Sequence, residues 1–202
     1  MSALLRTDRL WDLSQPIVHD GPAWAKYDPP FVSRNYRRAA EGFNAETLRL
    51  NTHTGTHVDV PFHFDDRGAT IERVPLAAFA APALFLDLRD HVRAGQPIEP
   101  EHLDACTDAL EDGDIAVLVT GWGADRGVAG VGIDALSIGG WGGPERGEPS
   151  HLALLGAGKI IVEELHVPDE LAGRRCFLTA FPVLLEGCGG AWTRAVAWEL
   201  DE

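Results

Sequence analysis

Short apolar runs recur along the chain and predict most of its secondary structure. Each run has the length of a β-strand, is rich in valine, isoleucine, leucine or phenylalanine, and is bounded by glycine, proline or aspartate. Because these runs outnumber the helical segments, the pattern predicts a strand-rich α/β fold. The predicted strands cover residues 82–88, 115–120, 131–138, 159–165, 177–185 and 192–200.

Two segments carry the signals of helix ends. Residues 100–110 begin with a proline, and Gly113 follows just beyond their end. A second helix follows Ser150, which we expect to be its N-cap, and it ends at the glycines within residues 151–158. The sequence therefore predicts few helices among many strands.

A glycine-rich segment precedes the second helix. Residues 139–149 contain five glycines, a composition that predicts a mobile loop. The loop lacks the G-K-[ST] ending of a phosphate-binding loop, so it indicates no nucleotide site.

Length and charge restrict the classes of protein to which the chain can belong. The 202 residues are enough to bury a hydrophobic core, and we expect residues 1–202 to form a single domain. The chain has 17 Lys and Arg against 31 Asp and Glu, a net charge of −14. So acidic a surface argues against nucleic acid or an anionic membrane as a partner.

Cysteine usage and the N-terminus indicate a cytoplasmic location. The three cysteines form no C-x-x-C pair and no even framework, which is typical of a reducing compartment. The first residues contain no apolar stretch of the signal-peptide type. The longest apolar stretch, residues 77–88, is interrupted by proline and aspartate and is too short to span a bilayer.

The segment 51–64 concentrates the chemistry of the chain. Three of the eight histidines and one aspartate fall within eleven residues. If this backbone is extended, alternation places four of these polar side chains on one face, and β-branched and aromatic residues on the other. The polar face would carry His53, His57, Asp59 and His63.

Two imidazoles and a carboxylate on one face form a three-ligand site for a divalent metal. Zinc binds such a set and keeps a position open for water, and manganese or iron also suit two histidines and one carboxylate. His63 lies beyond Pro61 and could stand off the metal as a general acid or base. Packing alone does not explain so many polar groups opposite an apolar face.

Other chemistry has weaker support in the residues themselves. His151 opens the second helix and Glu163 ends a predicted strand, but Glu163 and Glu164 are adjacent and either could face inward, so the residues alone favour surface charge over a functional role. A serine or cysteine hydrolase finds little support, because the chain has no G-x-S-x-G and Cys188 has no evident base beside it.

The histidine segment resembles a family motif. His-Thr-Gly-Thr-His-Val-Asp-Val-Pro-Phe-His resembles the H-x-G-T-H-x-D-x-P-x-H motif of the cyclase family, which includes bacterial kynurenine formamidases and isatin hydrolase. The resemblance continues over most of the chain. It is carried by the stretches Trp11-Asp-Leu-Ser-Gln-Pro-Ile, Val74-Pro-Leu, Val131-Gly-Ile-Asp-Ala-Leu-Ser-Ile, His151-Leu-Ala-Leu-Leu-Gly-Ala-Gly and Val162-Glu-Glu-Leu.

The resemblance implies a two-metal site and its fold. His53, His57 and Asp59 match the ligands of a first metal, and Asp59, His151 and Glu163 match those of a second, with Asp59 bridging. His63 matches the catalytic histidine. Zinc is the expected ion, with manganese as the alternative, at one or two ions per chain. The implied fold is a compact, strand-rich α/β domain with a mixed or antiparallel sheet or barrel, and the implied assembly is a homodimer.

The resemblance also implies a reaction. The leading expectation is an arylformamidase that uses metal-activated water to convert N-formylkynurenine to kynurenine and formate, a step of tryptophan catabolism. A cyclic-amide or lactone hydrolase of the isatin hydrolase type is the first alternative. A metal-holding binding protein without turnover is the second, although such a protein would not need His63.

The aromatic substrate would require aromatic side chains. We expect Trp11, Phe31 and Trp122 to bind it, and Trp24 is a further candidate. Core packing is the alternative for all of them, and it is favoured for Phe62. In relatives a longer helical segment occupies the place of residues 121–130 and lies near the substrate pocket. The shorter segment in this chain therefore bears on which amide or lactone it accepts.

Overall fold

A mixed nine-stranded sheet forms the body of the protein. The computed structural model describes residues 5–92, 98–104, 106–120, 130–139 and 144–200. The strands are β1 Leu5–Asp12, β2 Phe31–Tyr36, β3 Ala45–Arg49, β4 His57–Asp59, β5 Ala80–Asp87, β6 Ile115–Val119, β7 Gly130–Ile133, β8 Ile160–Glu163, β9 Arg175–Thr179, β10 Gly190–Trp192 and β11 Val196–Leu200. The α-helices of the described residues are α1 Arg38–Glu41, α2 Pro100–Asp104 and α3 Pro144–Gly156.

The order of strands in the sheet is β1-β11-β9-β5-β6-β7-β8-β4-β10, and β2 and β3 form a separate hairpin. The four central strands, β5 to β8, are parallel, and the strands on both sides of them are antiparallel. The sheet curls, so that its two ends approach each other. The chain just after β1, at one end of the strand order, contacts the residue just before β4, near the other end: the Gln15 N–H donates to the Thr56 hydroxyl at 2.8 Å. The prediction of a strand-rich α/β fold with few helices is confirmed.

Strand β5 shows why the central runs are continuously apolar. Ala83 and Phe85 belong to the cluster of buried residues on one face of the sheet, and Leu84 and Leu86 belong to the cluster on the other. Both faces of a parallel centre are covered, so alternation of polar and apolar residues is lost there. Leu154 and Leu155 of α3 contribute to the second cluster.

Three of the predicted strands differ clearly from the observed ones. The run 192–200 is divided between β10 and β11, because Trp192 pairs with His57 of β4 and Val196 pairs with Thr179 of β9. The run 177–185 ends as a strand at Thr179, and the run 131–138 ends at Ile133. Apolar composition predicts burial in these segments but does not determine where pairing stops.

Helix α3 begins earlier than predicted. Its first residue is Pro144, so Ser150 lies within the helix and is not its N-cap. The prediction of a loop is therefore wrong for residues 144–149. Proline is favoured at the first helical position, whereas Pro149 inside the helix cannot donate its backbone hydrogen bond, which is why the sequence pointed to a start after it. Helix α2 ends at Asp104, short of residue 110.

The helices are short. α1, α2 and α3 contain 4, 5 and 13 residues, whereas a helix that crosses a bilayer needs about 20. Within the described part of the chain, no helix has the length and apolar character of a membrane span.

Candidate metal centre and active site

Strand β4 provides the centre of the site. It lies between β8 and β10, and in the antiparallel register His57 is opposite Glu163. This register brings the Glu163 carboxylate beside the His57 imidazole, with 3.6 Å between Oε2 and Nε2. Glu164, one residue on, has a left-handed backbone with φ of 54° and lies outside the strand. Strand pairing thus places Glu163, the glutamate that the family resemblance implied, beside His57, whereas the residues alone left the choice between Glu163 and Glu164 open.

The histidines of the motif reach Asp59 by three different local structures. Only His57 and Asp59 are on a strand; His53 lies in a turn before it, and His63 ends a 3-10 turn that begins at Pro61. The prediction of an extended backbone across residues 53–63 is therefore wrong outside β4. Even so, the side chains converge: His53 Nδ1 is 2.7 Å from Asp59 Oδ1, and His63 Nε2 is 4.0 Å from Asp59 Oδ2.

Gly55 makes the turn before β4. Its φ is +66°, a left-handed conformation that side chains with a Cβ rarely adopt. A Cβ at this position would lie 2.8 Å from Cγ1 of Ile17, so the space beside the glycine is filled by this side chain. The space that the missing Cβ leaves is therefore occupied by another side chain of the protein.

Helix α3 and strand β8 complete the cluster. His151 Nε2 is 3.3 Å from Glu163 Oε1 and 3.6 Å from Asp59 Oδ2. Asp59 is fully buried and lies within 4.0 Å of four imidazoles. All six residues expected to bind metal or to catalyse are thus brought together around one carboxylate, and their individual roles stay predictions.

Two atoms of the cluster have no hydrogen-bond partner within the described structure although they are buried: His57 Nε2 and Asp59 Oδ2. The His57 Nδ1–H donates to the Gly55 carbonyl at 2.8 Å, which fixes the ring and directs Nε2 towards the carboxylates. Buried polar atoms without partners are costly, and a cation bound between them would remove that cost. The donor set, imidazole nitrogens and carboxylate oxygens without sulfur, fits a divalent ion such as zinc or manganese.

The spacing of ligand atoms also groups the residues. Within the described residues, two sets of three have ligand atoms within 4.8 Å of one another, and both contain Asp59. These sets, His53–Asp59–His63 and His57–Asp59–Glu163, differ from the two sets that the resemblance implied. Their shared member agrees with a bridging position for Asp59.

The electrostatics of the cluster are those of a buried, charged site. Burial opposes charging of His57 and His151, but the neighbouring carboxylates raise the pKa of His57 to about 9 and that of His151 to about 10. Burial would raise the pKa of Asp59, but the surrounding histidines hold it well below its usual value. In His63, burial dominates and lowers the pKa to about 4, so this imidazole is neutral at neutral pH.

The cluster lies at the base of a cavity of about 190 Å³. This volume is below the roughly 300–1,000 Å³ of pockets for drug-sized ligands, which indicates a small ligand. Besides four of the histidines and Glu163, the wall contains Trp24, Lys26, Tyr27, Phe64, Leu136 and Ser137.

Residues 11–135 match the Cyclase family model, described as "Putative cyclase". This match covers more than half of the 202 residues. The chain belongs to the cyclase family. The motif resemblance and the fold therefore lead to the same family.

Solved structures agree with this membership of the cyclase family. Isatin hydrolase A from Labrenzia aggregata, bound to benzyl benzoate, superposes with a TM-score of 0.83 at 18% identity, covering 96% of this chain and 94% of that one. Isatin hydrolase A from Ralstonia solanacearum superposes with a TM-score of 0.78 at 20% identity, covering 95% of this chain and 92% of that one. A structure described as a potential metal-dependent hydrolase with cyclase activity superposes with a TM-score of 0.77 at 27% identity, covering 96% of this chain and 99% of that one. The chain thus has the metal-dependent hydrolase fold of the cyclase family.

Two of the three aromatic residues expected to bind substrate, Trp11 and Phe31, lie away from the cavity. The Trp11 indole N–H donates to Glu170, and its ring packs against the core. Phe31 on β2 lies beneath the guanidinium of Arg49, and neither Trp11 nor Phe31 lines the cavity. Trp122 lies outside the described residues.

Among the aromatic candidates that the structure describes, Trp24 lines the cavity. Lys26, Tyr27, Phe64, Leu136 and Ser137 line it but were not predicted. A lysine next to a tyrosine and two positions after a tryptophan, in a chain this acidic, is the signal that could have pointed to this segment. The remaining wall residues carry no such signal in the sequence.

The absence of a side chain at Gly190 of β10 leaves room for the His53 ring. We therefore expect a methyl group at this position to disturb the metal centre. A Cβ at Gly190 would lie 2.3 Å from Cε1 of His53. Gly190→Ala should therefore displace the ring from Asp59, reduce bound metal, and lower the free energy of unfolding by about 1–3 kcal/mol. Gly156→Ala at the end of α3 is the control, because nothing lies within 4 Å of a Cβ there. Equal metal content and equal Tm in the two variants would refute this role of Gly190.

Proposed function

We propose that this chain is a metal-dependent amide hydrolase that cleaves the C–N bond of a small aryl amide, and that its substrate is N-formylkynurenine. The observation that carries this proposal is the convergence of five ionisable side chains on Asp59 beneath a small cavity. A cyclic-amide hydrolase of the isatin hydrolase type is the second candidate, supported by the similarity of the fold to isatin hydrolases.

Five residues would hold the metal: His53, His57, Asp59, His151 and Glu163. Zinc or manganese, once bound there, would polarise the substrate carbonyl and lower the pKa of water. The backbone N–H of Ile138 donates to Glu163 Oε1 at 2.7 Å and holds this carboxylate in place. Such supporting hydrogen bonds orient ligands before the ion arrives.

His63 would move the proton in the reaction. Its ring lies over His53, with 3.9 Å between the ring centroids, and it faces the cavity. Because its pKa is about 4, the neutral ring can accept a proton from the attacking water. The water oxygen bonds to the amide carbon, the C–N bond breaks, and the leaving nitrogen receives the proton from His63. Formate and an aryl amine are then the products.

The cavity wall suits an aromatic substrate. Trp24, Phe64 and Leu136 provide apolar surface around the polar base. Phe64 itself is held by stacking on His151, with 4.5 Å between the ring centroids. An aryl ring against these side chains would present its amide to the cluster below.

An assay with two substrates tests the proposal. Purified protein reconstituted with zinc or manganese should release formate from N-formylkynurenine. Opening of isatin in place of this reaction would favour the second candidate. Failure of the metal-loaded protein to hydrolyse either compound would contradict both and favour a binding protein without turnover.

Removal of the metal should make stability depend on pH. In metal-free protein the pKa values of His57 and His151, about 9 and about 10, exceed the usual 6.5. A histidine whose pKa is raised by folding stabilises the fold below pH 6.5, and this stabilisation is lost as the pH rises through the folded value. We expect the Tm of chelator-treated protein to fall between about pH 6.5 and 10. A Tm that stays constant over this interval would show that the histidines are not paired with the carboxylates.

A further inference from the structure

A short loop carries a lysine to the cavity. The loop is closed at its base by a hydrogen bond of 2.9 Å from the Asp20 N–H to the Pro30 carbonyl. Near its middle, the Tyr27 N–H donates to the Trp24 carbonyl at 2.8 Å and forms a turn. Lys26 is the third residue of this turn, is exposed, and lines the cavity together with Trp24 and Tyr27. The lysine is therefore held at the rim of the cavity by backbone hydrogen bonds.

The charge of Lys26 is not matched by a nearby acid. Its ammonium group has no ion-pair partner among the residues that the structure describes. Asp28, the nearest acid along the chain, is exposed and does not line the cavity. The chain has only two lysines, and the other, Lys159, precedes β8 and does not line the cavity either.

The negative charges at the base of the cavity, in contrast, lie beside imidazole groups. Asp59 and Glu163 are in contact with the imidazoles of the cluster. The net charge of −14 repels anions only weakly at a distance, since salt screens charges beyond about 8–10 Å. At short range, Lys26 is the uncompensated charge that an entering molecule meets.

We propose that Lys26 selects substrates that carry a carboxylate. This inference rests on the proposed amide hydrolysis and specifies its substrate class: a small aryl amide whose ring lies against Trp24 and whose carboxylate binds the Lys26 ammonium at the rim. N-formylkynurenine carries a carboxylate and isatin does not, so Lys26 favours the first of the two substrates considered above.

Two formamides that differ in one group test the selection. 2-Formamidobenzoate and formanilide have the same scissile bond, and only the first has a carboxylate. Lys26→Met should lower kcat/KM of the metal-loaded enzyme for 2-formamidobenzoate about five- to tenfold, mainly through KM, and leave formanilide within about twofold. Lys26→Glu should lower kcat/KM for 2-formamidobenzoate further, because a second negative charge repels the carboxylate. Lys159→Met, the same chemical change away from the cavity, should alter neither value.

Equal losses for both substrates in Lys26→Met, or no loss for either, would overturn the proposal. If neither formamide is hydrolysed, the proposed function fails, and the role of Lys26 is then decided by binding. Tryptophan fluorescence, to which Trp24 contributes, reports the binding of benzoate and benzamide. Benzoate bound about five- to tenfold more weakly by Lys26→Met, with benzamide unchanged, supports the selection. Benzoate that binds both proteins equally, or neither, contradicts it.

Discussion

Asp59→Asn should strongly weaken metal binding and remove hydrolysis together. Asp59 is fully buried, and its two oxygens lie 2.7 to 4.0 Å from nitrogens of His53, His57, His63 and His151. Asparagine has the same shape but no charge, so a cation in the cluster would lose its shared ligand. Loss of one partner from a buried charged pair costs about 3–5 kcal/mol, and a loss of this size in metal affinity corresponds to binding weakened by about 10²- to 10⁴-fold.

Titration of the variant with zinc, followed by calorimetry, measures this effect directly. Asp65→Asn is the matched control, because Asp65 is exposed and its side chain contacts its chain neighbour Arg67, through a hydrogen bond from the Arg67 N–H and a weak ion pair with the Arg67 guanidinium. The control should bind zinc and hydrolyse substrate as the unmodified chain does. Zinc affinity in Asp59→Asn within about threefold of the control would exclude a bridging role for this carboxylate.

His63→Ala should remove hydrolysis and keep the metal. The five proposed ligands do not include His63, so the ion should remain, whereas the loss of a general acid–base group lowers kcat about 10²- to 10⁴-fold. His63→Gln, which preserves more of the side-chain volume, should show the same loss. His166→Ala removes an exposed imidazole at the end of β8 and serves as the control.

The metal content of the His63 variants separates this prediction from simple damage to the site. Loss of both metal and rate would make His63 a ligand, as the His53–Asp59–His63 grouping also allows. Unchanged turnover in His63→Ala would show that the proton moves by another route. Only retained metal with lost rate supports the proposed role.

The parts of the fold that local sequence determines were predicted from it. The run that became β5 is apolar because both faces of the central sheet are buried, and this property is visible along the chain. The start of α3, in contrast, was not predicted correctly, because the helix continues through Pro149 although proline usually ends or kinks a helix. Tertiary context overrides local helix propensity in such cases, and the residues nearby in the sequence do not reveal that context.

The candidate site shows the same division. The histidine motif could be recognised from residue types and spacing, although alternation holds only for His57 and Asp59. The choice of Glu163 over Glu164 depends on the register between β4 and β8, which is a contact over more than a hundred residues of sequence. Lys26 reaches the cavity through the hydrogen bonds of its loop, so its position required the structure.

The metal content of the purified chain tests the central claim most directly. Protein prepared without chelator and analysed by mass spectrometry should contain about one or two equivalents of zinc or manganese per chain. The same measurement on Asp59→Asn should give close to none. If the unmodified chain holds no metal even after reconstitution, the cluster around Asp59 is not a metal site, and the mechanism derived from it is wrong.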